Sequence, residues 1–202
     1  MNSENNQITA IGKFTGGFTY SHEVFGERFY QIILKVNRFS GTTDLLPVII
    51  SERILDISQD YSGQSIKITG QLRTYNFHEG EKNRVQIFIF AQDIEFLQED
   101  ESPARNNDVY LNGFICKPPV FRTTPLGREI CDLLIAVNRA YGKSDYIPSI
   151  AWGRTARYLS GKKVGSPVTL LGRFQSREYV KYDENGQEET HTAYEFSTMK
   201  LI

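Results

Sequence analysis

Cysteine, tryptophan and histidine are scarce in this chain, at 2, 1 and 3 residues of 202. Two cysteines, Cys116 and Cys131, are too few for the disulfide framework of a small secreted domain. The histidines His22, His78 and His191 are scattered, and no Cys/His spacing suits zinc. No apolar run approaches the roughly 18 residues of a membrane span. Met1–Asn6 lacks the basic and apolar regions of a signal peptide. Neither a GxxxxGK[ST] phosphate loop nor a G-x-S-x-G elbow occurs. These absences lead us to expect a cytoplasmic protein that makes no membrane contact, catalyses nothing and needs no metal or cofactor.

What is present is a repeat. Asn6–Phe14 reappears as Asn107–Phe114, which aligns Gly12 with Gly113. Val36-Asn37-Arg38 returns as Val137-Asn138-Arg139, and Asp44–Pro47 as Asp145–Pro148, both 101 residues on. Gly70-Gln71-Leu72 then meets Gly172-Arg173-Phe174 after a one-residue insertion. A period this long suits two copies of a small domain rather than a solenoid.

Charge separates the copies. The net charge of −1 conceals 9 Lys+Arg against 14 Asp+Glu in residues 1–102, and 14 against 10 in residues 103–202. A polyanion should therefore prefer the second copy.

Both copies read as β-structure. Tyr30, Ile32, Leu34 and Val36 alternate along Arg28–Asn37, and Cys131, Leu133, Ile135 and Val137 do the same later. A period of two marks a half-buried strand, and its parity makes Cys131 a buried thiol. Further strands are expected at Ile66–Thr74, Arg84–Leu97, Val168–Tyr179 and Thr190–Leu201. Turns are expected at His78–Glu81 and Asn185-Gly186. A short helix is expected after the third strand of each copy, near Glu52–Ser58 and Arg154–Leu159. Five strands with a helix after the third is the order of an OB-fold, a small Greek-key barrel. The expected division is a degenerate barrel over 1–97, an acidic linker over 98–107 and a second barrel over 108–202.

Cys116–Gly127 reads CKPPVFRTTPLG, Gly127–Leu159 carries the elements "AVNR", "D-aromatic-I-P" and "AWG-basic-TA", and Gly172–Tyr179 reads GRFQSREY. In these stretches residues 107–199 resemble the bacterial single-stranded DNA-binding proteins, matching in turn that family's first loop, its second and third strands and its fourth strand. The first copy matches only the framework. The resemblance implies aromatic stacking on bases at Tyr146, Trp152 and Tyr179. Their counterparts in the first copy are Leu45, Ser51 and Phe77, so two of the three rings are missing there.

Binding single strands without sequence preference takes exposed aromatic faces and a positive groove. Arg122, Arg139, Arg154, Arg173 and Arg177 are the candidate phosphate contacts, with Phe77 the remaining ring of the first copy. Arg154 follows Trp152 by two residues, so one strand face is expected to present both. The expected partner is single-stranded DNA, in replication, repair or recombination, with RNA admitted by the same surface. The resemblance implies a unit of four barrels, hence a homodimer. It also implies an acidic C-terminal tail that recruits partners. This chain stops after its last strand, so no such recruitment is expected. The alternative is an assembly or protein-interaction module, like primosomal relatives, in which DNA contact is secondary.

Overall fold

The computed structural model describes residues 5–79, 82–98, 106–182 and 186–202, with side chains throughout except at 76–79, 82–84 and 141. The expected linker lies mostly outside the described residues, as do Gly80-Glu81 and Asn185 of the two expected turns.

In the first half, β1 (Asn6–Val24) pairs with β2 (Glu27–Asn37), and β2 with β3 (Thr43–Ser51). Strand β3 runs parallel to β5 (Lys82–Leu97), which pairs with β4 (Ser65–Glu79), and β4 returns to β1. The five strands close into a barrel. Alternation supplies the filling: Ile32, Leu34 and Val36 point inward beside Leu46, Val48, Ile66, Ile68, Leu72, Ile87 and Ile89.

The second half repeats the circuit with β6 (Asn107–Ile115), β8 (Glu129–Asn138), β9 (Ser144–Trp152), β11 (Glu188–Leu201) and β10 (Pro167–Tyr182). Cys131 is fully buried with Leu133, Ile135 and Val137. Burial, with Asp132 adding to it, pushes the Cys131 thiol pKa up, which suits an inert packing role.

Two expectations fail on local chemistry. Among the described residues the second half has six strands rather than the expected five: β6 stops ahead of Pro118-Pro119, and a separate strand β7 (Val120–Thr123), inside the stretch expected as a loop, pairs with β8. Proline offers no N–H to a ladder, whereas β1, bulged between Thr15 and Thr19, runs on for 19 residues.

The helix expected near Glu52–Ser58 is a series of turns. Asp56 Oδ1 accepts from Ser58 N at 3.0 Å and Ser58 Oγ at 2.7 Å, and Gln59 Nε2 donates to Asp56 Oδ2 at 3.0 Å. Such side-chain bonds compete with helical ones. In the second half, α1 (Gly153–Ser160) does form, burying Ala156 and Leu159.

The halves join by antiparallel pairing of β1 with β6, which makes the strands one eleven-stranded sheet. Two ion pairs add to the join. Arg38 grips Asp44 through Nε at 2.8 Å and Nη2 at 2.5 Å. Asp44 Oδ1 accepts from Ser176 N at 2.8 Å and Ser176 Oγ at 3.0 Å, and Arg38 Nη2 donates to the Ser176 carbonyl at 2.7 Å. The mirror image links Arg139 and Asp145 to Thr74. Thr74 N donates to Asp145 Oδ1 at 2.6 Å, and Arg139 Nη2 donates to the Thr74 carbonyl at 3.2 Å. Each half thus holds the fourth strand of the other. No helix among the described residues is long and apolar enough to cross a membrane.

Candidate nucleic-acid interface

Strand β9 aims its side chains by parity. Ile147 and Ala151 face the core, and Tyr146 and Trp152 face outward, 41% and 37% exposed. Trp152 is fixed in orientation, because its Nε1 donates to Ser197 Oγ on β11 at 3.0 Å. A ring tethered at its edge keeps its orientation while leaving surface for a base. Tyr179, on β10, stacks on His191 at 5.6 Å, with the cations of Arg177 and Lys181 each 5.7 Å from its ring centroid. An aromatic flanked by cations can take a base and the neighbouring phosphate together.

Arg154 is not on the strand face. Gly153, at φ +52°, swings the chain out of β9 immediately after Trp152. Arg154 therefore projects from α1, exposed, with no side-chain partner among the described residues. That leaves its guanidinium available to an anion.

Most of the other expected cations are engaged. Arg122 is bidentate on Asp132, at 2.6 and 3.1 Å, and this bond raises its pKa further. Arg177 lies 3.7 Å from Glu195. Arg173 donates to Asn106 Oδ1 at 3.4 Å. Arg139 must be reassigned. Its guanidinium is spent on Asp145, which is 1% exposed, and on the Thr74 carbonyl, so it joins the halves. Phe77 pairs with Arg84 through the backbone, and its side chain lies outside the described ones.

The first half has an aromatic face that the three counterpart positions do not disclose. On β5, Gln86, Phe88 and Phe90 face outward while Ile87, Ile89 and Ala91 face the core. Phe90 packs 5.7 Å from Phe29, which stacks on His22 at 4.8 Å, and Arg73 lies over Phe90 at 5.6 Å. Tyr75, on β4, is 62% exposed. A concavity of about 310 Å³ opens here, lined by His22, Gln31, Ile49, Tyr75, Gln86 and Phe88.

Strand register shows where the first half carries a ring instead. Ile49 pairs with Phe90 in one half and Ile150 with Ser197 in the other. Ser51 and Phe90 therefore stand where Trp152 and Ser197 stand, with hydroxyl and ring exchanged between strands. The signal was in the sequence, as the alternation Gln86-Ile87-Phe88-Ile89-Phe90.

Residues 106–202 match the family model described as "Single-strand binding protein family". Among curated proteins, the chain is 34% identical over 84 residues to the single-stranded DNA-binding protein of Oceanobacillus iheyensis, covering 38% of this chain and 52% of that protein. It is 34% identical over 80 residues to single-stranded DNA-binding protein A of Bacillus subtilis, covering 36% and 46%. The chain thus spans about half the length of these relatives. Among solved structures, the wild-type single-stranded DNA binding protein from Thermus aquaticus superposes with a TM-score of 0.75 at 21% identity, covering 98% of this chain and 91% of that one. That likeness concerns the fold.

Proposed function

Given that the chain belongs to the bacterial single-stranded DNA-binding protein family through residues 106–202, we propose that it is a tandem pair of OB-folds binding single-stranded DNA without sequence preference. The proposed division is a first barrel within 1–97 and a second within 108–202, to which Asn107 adds as the first residue of β6. The observation that carries the reading is the outward set on the second barrel. Tyr146 and Trp152 leave β9 on its solvent side, and Tyr179 sits between two cations on the neighbouring hairpin. Rings take successive bases, and Arg154 with Lys181 and Arg177 meets phosphates. The first barrel adds Tyr75 and Phe88, a stacking face of lower charge. Proteins of this chemistry coat strands exposed in replication, repair or recombination, and the surface admits RNA as well.

The same reading includes a homodimer. A groove of about 460 Å³ runs over the β1–β6 junction, lined in part by Gln7, Tyr110, Leu171 and Met199. Met199 is 67% exposed. A second copy laid across this face would cover it and bring four barrels together.

Fluorescence anisotropy of a labelled oligo-dT tests the function. Saturable binding is expected, and the same oligonucleotide annealed to its complement should bind far more weakly. Equal affinity for single strand and duplex would overturn the reading.

A further inference from the structure

Strand β9 has an edge that its own barrel leaves open. Strand β11 pairs with β9 only over Ser149–Ala151, so the backbone at Asp145 and Tyr146 gains no ladder partner on that side. The other half closes the gap. Thr74, on β4, accepts from Tyr146 N through its Oγ1 at 3.1 Å. The same hydroxyl lies 3.2 Å from Asp145 Oδ1, to which it donates, and Thr74 N donates to that oxygen at 2.6 Å. Tyr146 stands opposite Ala136 of β8 in the ladder, and its own N–H is taken from the side by a residue 72 positions away. A hydroxyl that accepts from one backbone N–H and donates to a buried carboxylate has one orientation, so the contact fixes a position as well as adding energy.

We propose that Thr74 is a positioning residue for DNA binding: the first half, through this hydroxyl, sets the backbone from which the second half presents Tyr146 to a base. The proposal rests on the function argued above. It gives the first barrel a task in the second barrel's site, whatever its own affinity for DNA. The mirror position supplies a control within the molecule. Ser176 Oγ donates to Asp44 Oδ1 at 3.0 Å, but the residue following Asp44 is Leu45, which has no ring to present.

The test uses the full chain and oligo-dT. Thr74→Val keeps the β-branched shape and removes the hydroxyl, and it should weaken binding about threefold to tenfold, the range of one net hydrogen bond. Thr74→Ser should restore affinity to within about twofold. In a Tyr146→Ala background, Thr74→Val should cost nothing further, because the group it positions is gone. Ser176→Ala, which removes the mirrored bond, should leave affinity unchanged. Amide exchange at Tyr146 should quicken in Thr74→Val, and this readout needs no DNA. Unaltered affinity in Thr74→Val while Tyr146→Ala weakens binding would overturn the positioning role alone. An equal loss in the Tyr146→Ala background would do the same. Failure of the unmodified protein to bind oligo-dT would instead overturn the function on which the proposal rests.

Discussion

Ile8 and Val109 hold the same place in the two copies and face each other as partners where β1 pairs with β6. Around them Asn6 pairs with Leu111 and Ala10 with Asn107, which are the same two repeat positions taken in opposite order. The chain is therefore folded about an internal two-fold axis, with the self-complementary logic of a symmetric dimer inside one polypeptide. What lies near the axis occurs twice. Asn5 Nδ2 donates to the Asn138 carbonyl at 2.8 Å, and Asn106 Nδ2 to the Asn37 carbonyl at 2.7 Å. The Arg38–Asp44 and Arg139–Asp145 clamps follow the same rule.

The clamps give the first prediction. Asp145 is buried, and Asp145→Ala would leave Arg139 without its counter-charge and Thr74 N–H without an acceptor. Breaking a buried pair on one side typically costs about 3–5 kcal/mol. Arg139 keeps some access to solvent, so a loss near about 3 kcal/mol is expected in urea unfolding. Asp44→Ala should cost a similar amount. A loss below ~1 kcal/mol at either site would mean that solvent takes over the partner's role.

This symmetry also explains what was legible beforehand. The glycines, the Val-Asn-Arg runs and the paired aspartates of the repeat prove to be framework. A Cβ on Gly12 would meet the Lys35 carbonyl oxygen at 2.3 Å, and on Gly113 that of Ala136 at 2.4 Å. On Gly70 it would meet the Phe90 oxygen at 2.2 Å, and on Gly172 that of Ser197 at 2.1 Å. Strands crowd at these points as the barrels close, and only glycine fits. Val-Asn-Arg and the later Asp are the clamps. Arg139 lies in the basic half and reads there as a phosphate contact, but its repetition as Arg38 in the acidic half marks a shared structural duty. The alternating strands were readable because burial imposes period two. The turns at Glu52–Ser58 were not, because side-chain bonds from Asp56 outcompeted a weak helical pattern. The aromatic face of the first barrel is not legible from the counterpart positions, because its ring stands on β5 rather than β3, which no position-by-position alignment follows.

Trp152 gives the second prediction. It is the chain's single tryptophan, so emission reports on one place. Oligo-dT at saturation should quench that emission substantially, and Trp152→Ala should cost about 1–3 kcal/mol of binding. Emission and affinity both unmoved would remove Trp152 from the site.

Salt dependence gives the third. Arg154 is unpaired among the described residues, whereas Arg122 is bidentate on Asp132. Only a cation that releases a counterion on meeting phosphate contributes to the slope of log K against log salt. Arg154→Ala should therefore make that slope shallower by about 0.7, the value per phosphate for single strands. Arg122→Ala should change it less, since Arg122 must first leave its carboxylate. The opposite ranking would show that the Arg122–Asp132 pair opens on binding.

The last prediction concerns the first barrel. Cutting the chain between the copies would be a poor way to compare them. Separation strips Asp44 and Asp145 of partners and bares the edges of β1 and β6, so lost binding could follow from damaged structure alone. Point changes in the full chain avoid this. Tyr75 is exposed and Phe88 lines the concavity beside Gln31 and Gln86, with no carboxylate among the lining residues. Tyr75→Ala and Phe88→Ala should each weaken oligo-dT binding, within the range of about 1–3 kcal/mol for one stacked base. Because no cation is removed, the salt slope should stay where it was. The two half-sites are then separable by their signatures: Arg154→Ala lowers affinity and slope together, while Tyr75→Ala lowers affinity alone. The oligonucleotide must be long enough to reach both barrels, at roughly 4–16 nucleotides for each. On a shorter strand confined to the second barrel, Tyr75→Ala should have no effect. Loss of affinity on short and long strands alike would mean that Tyr75 acts through stability rather than by contact.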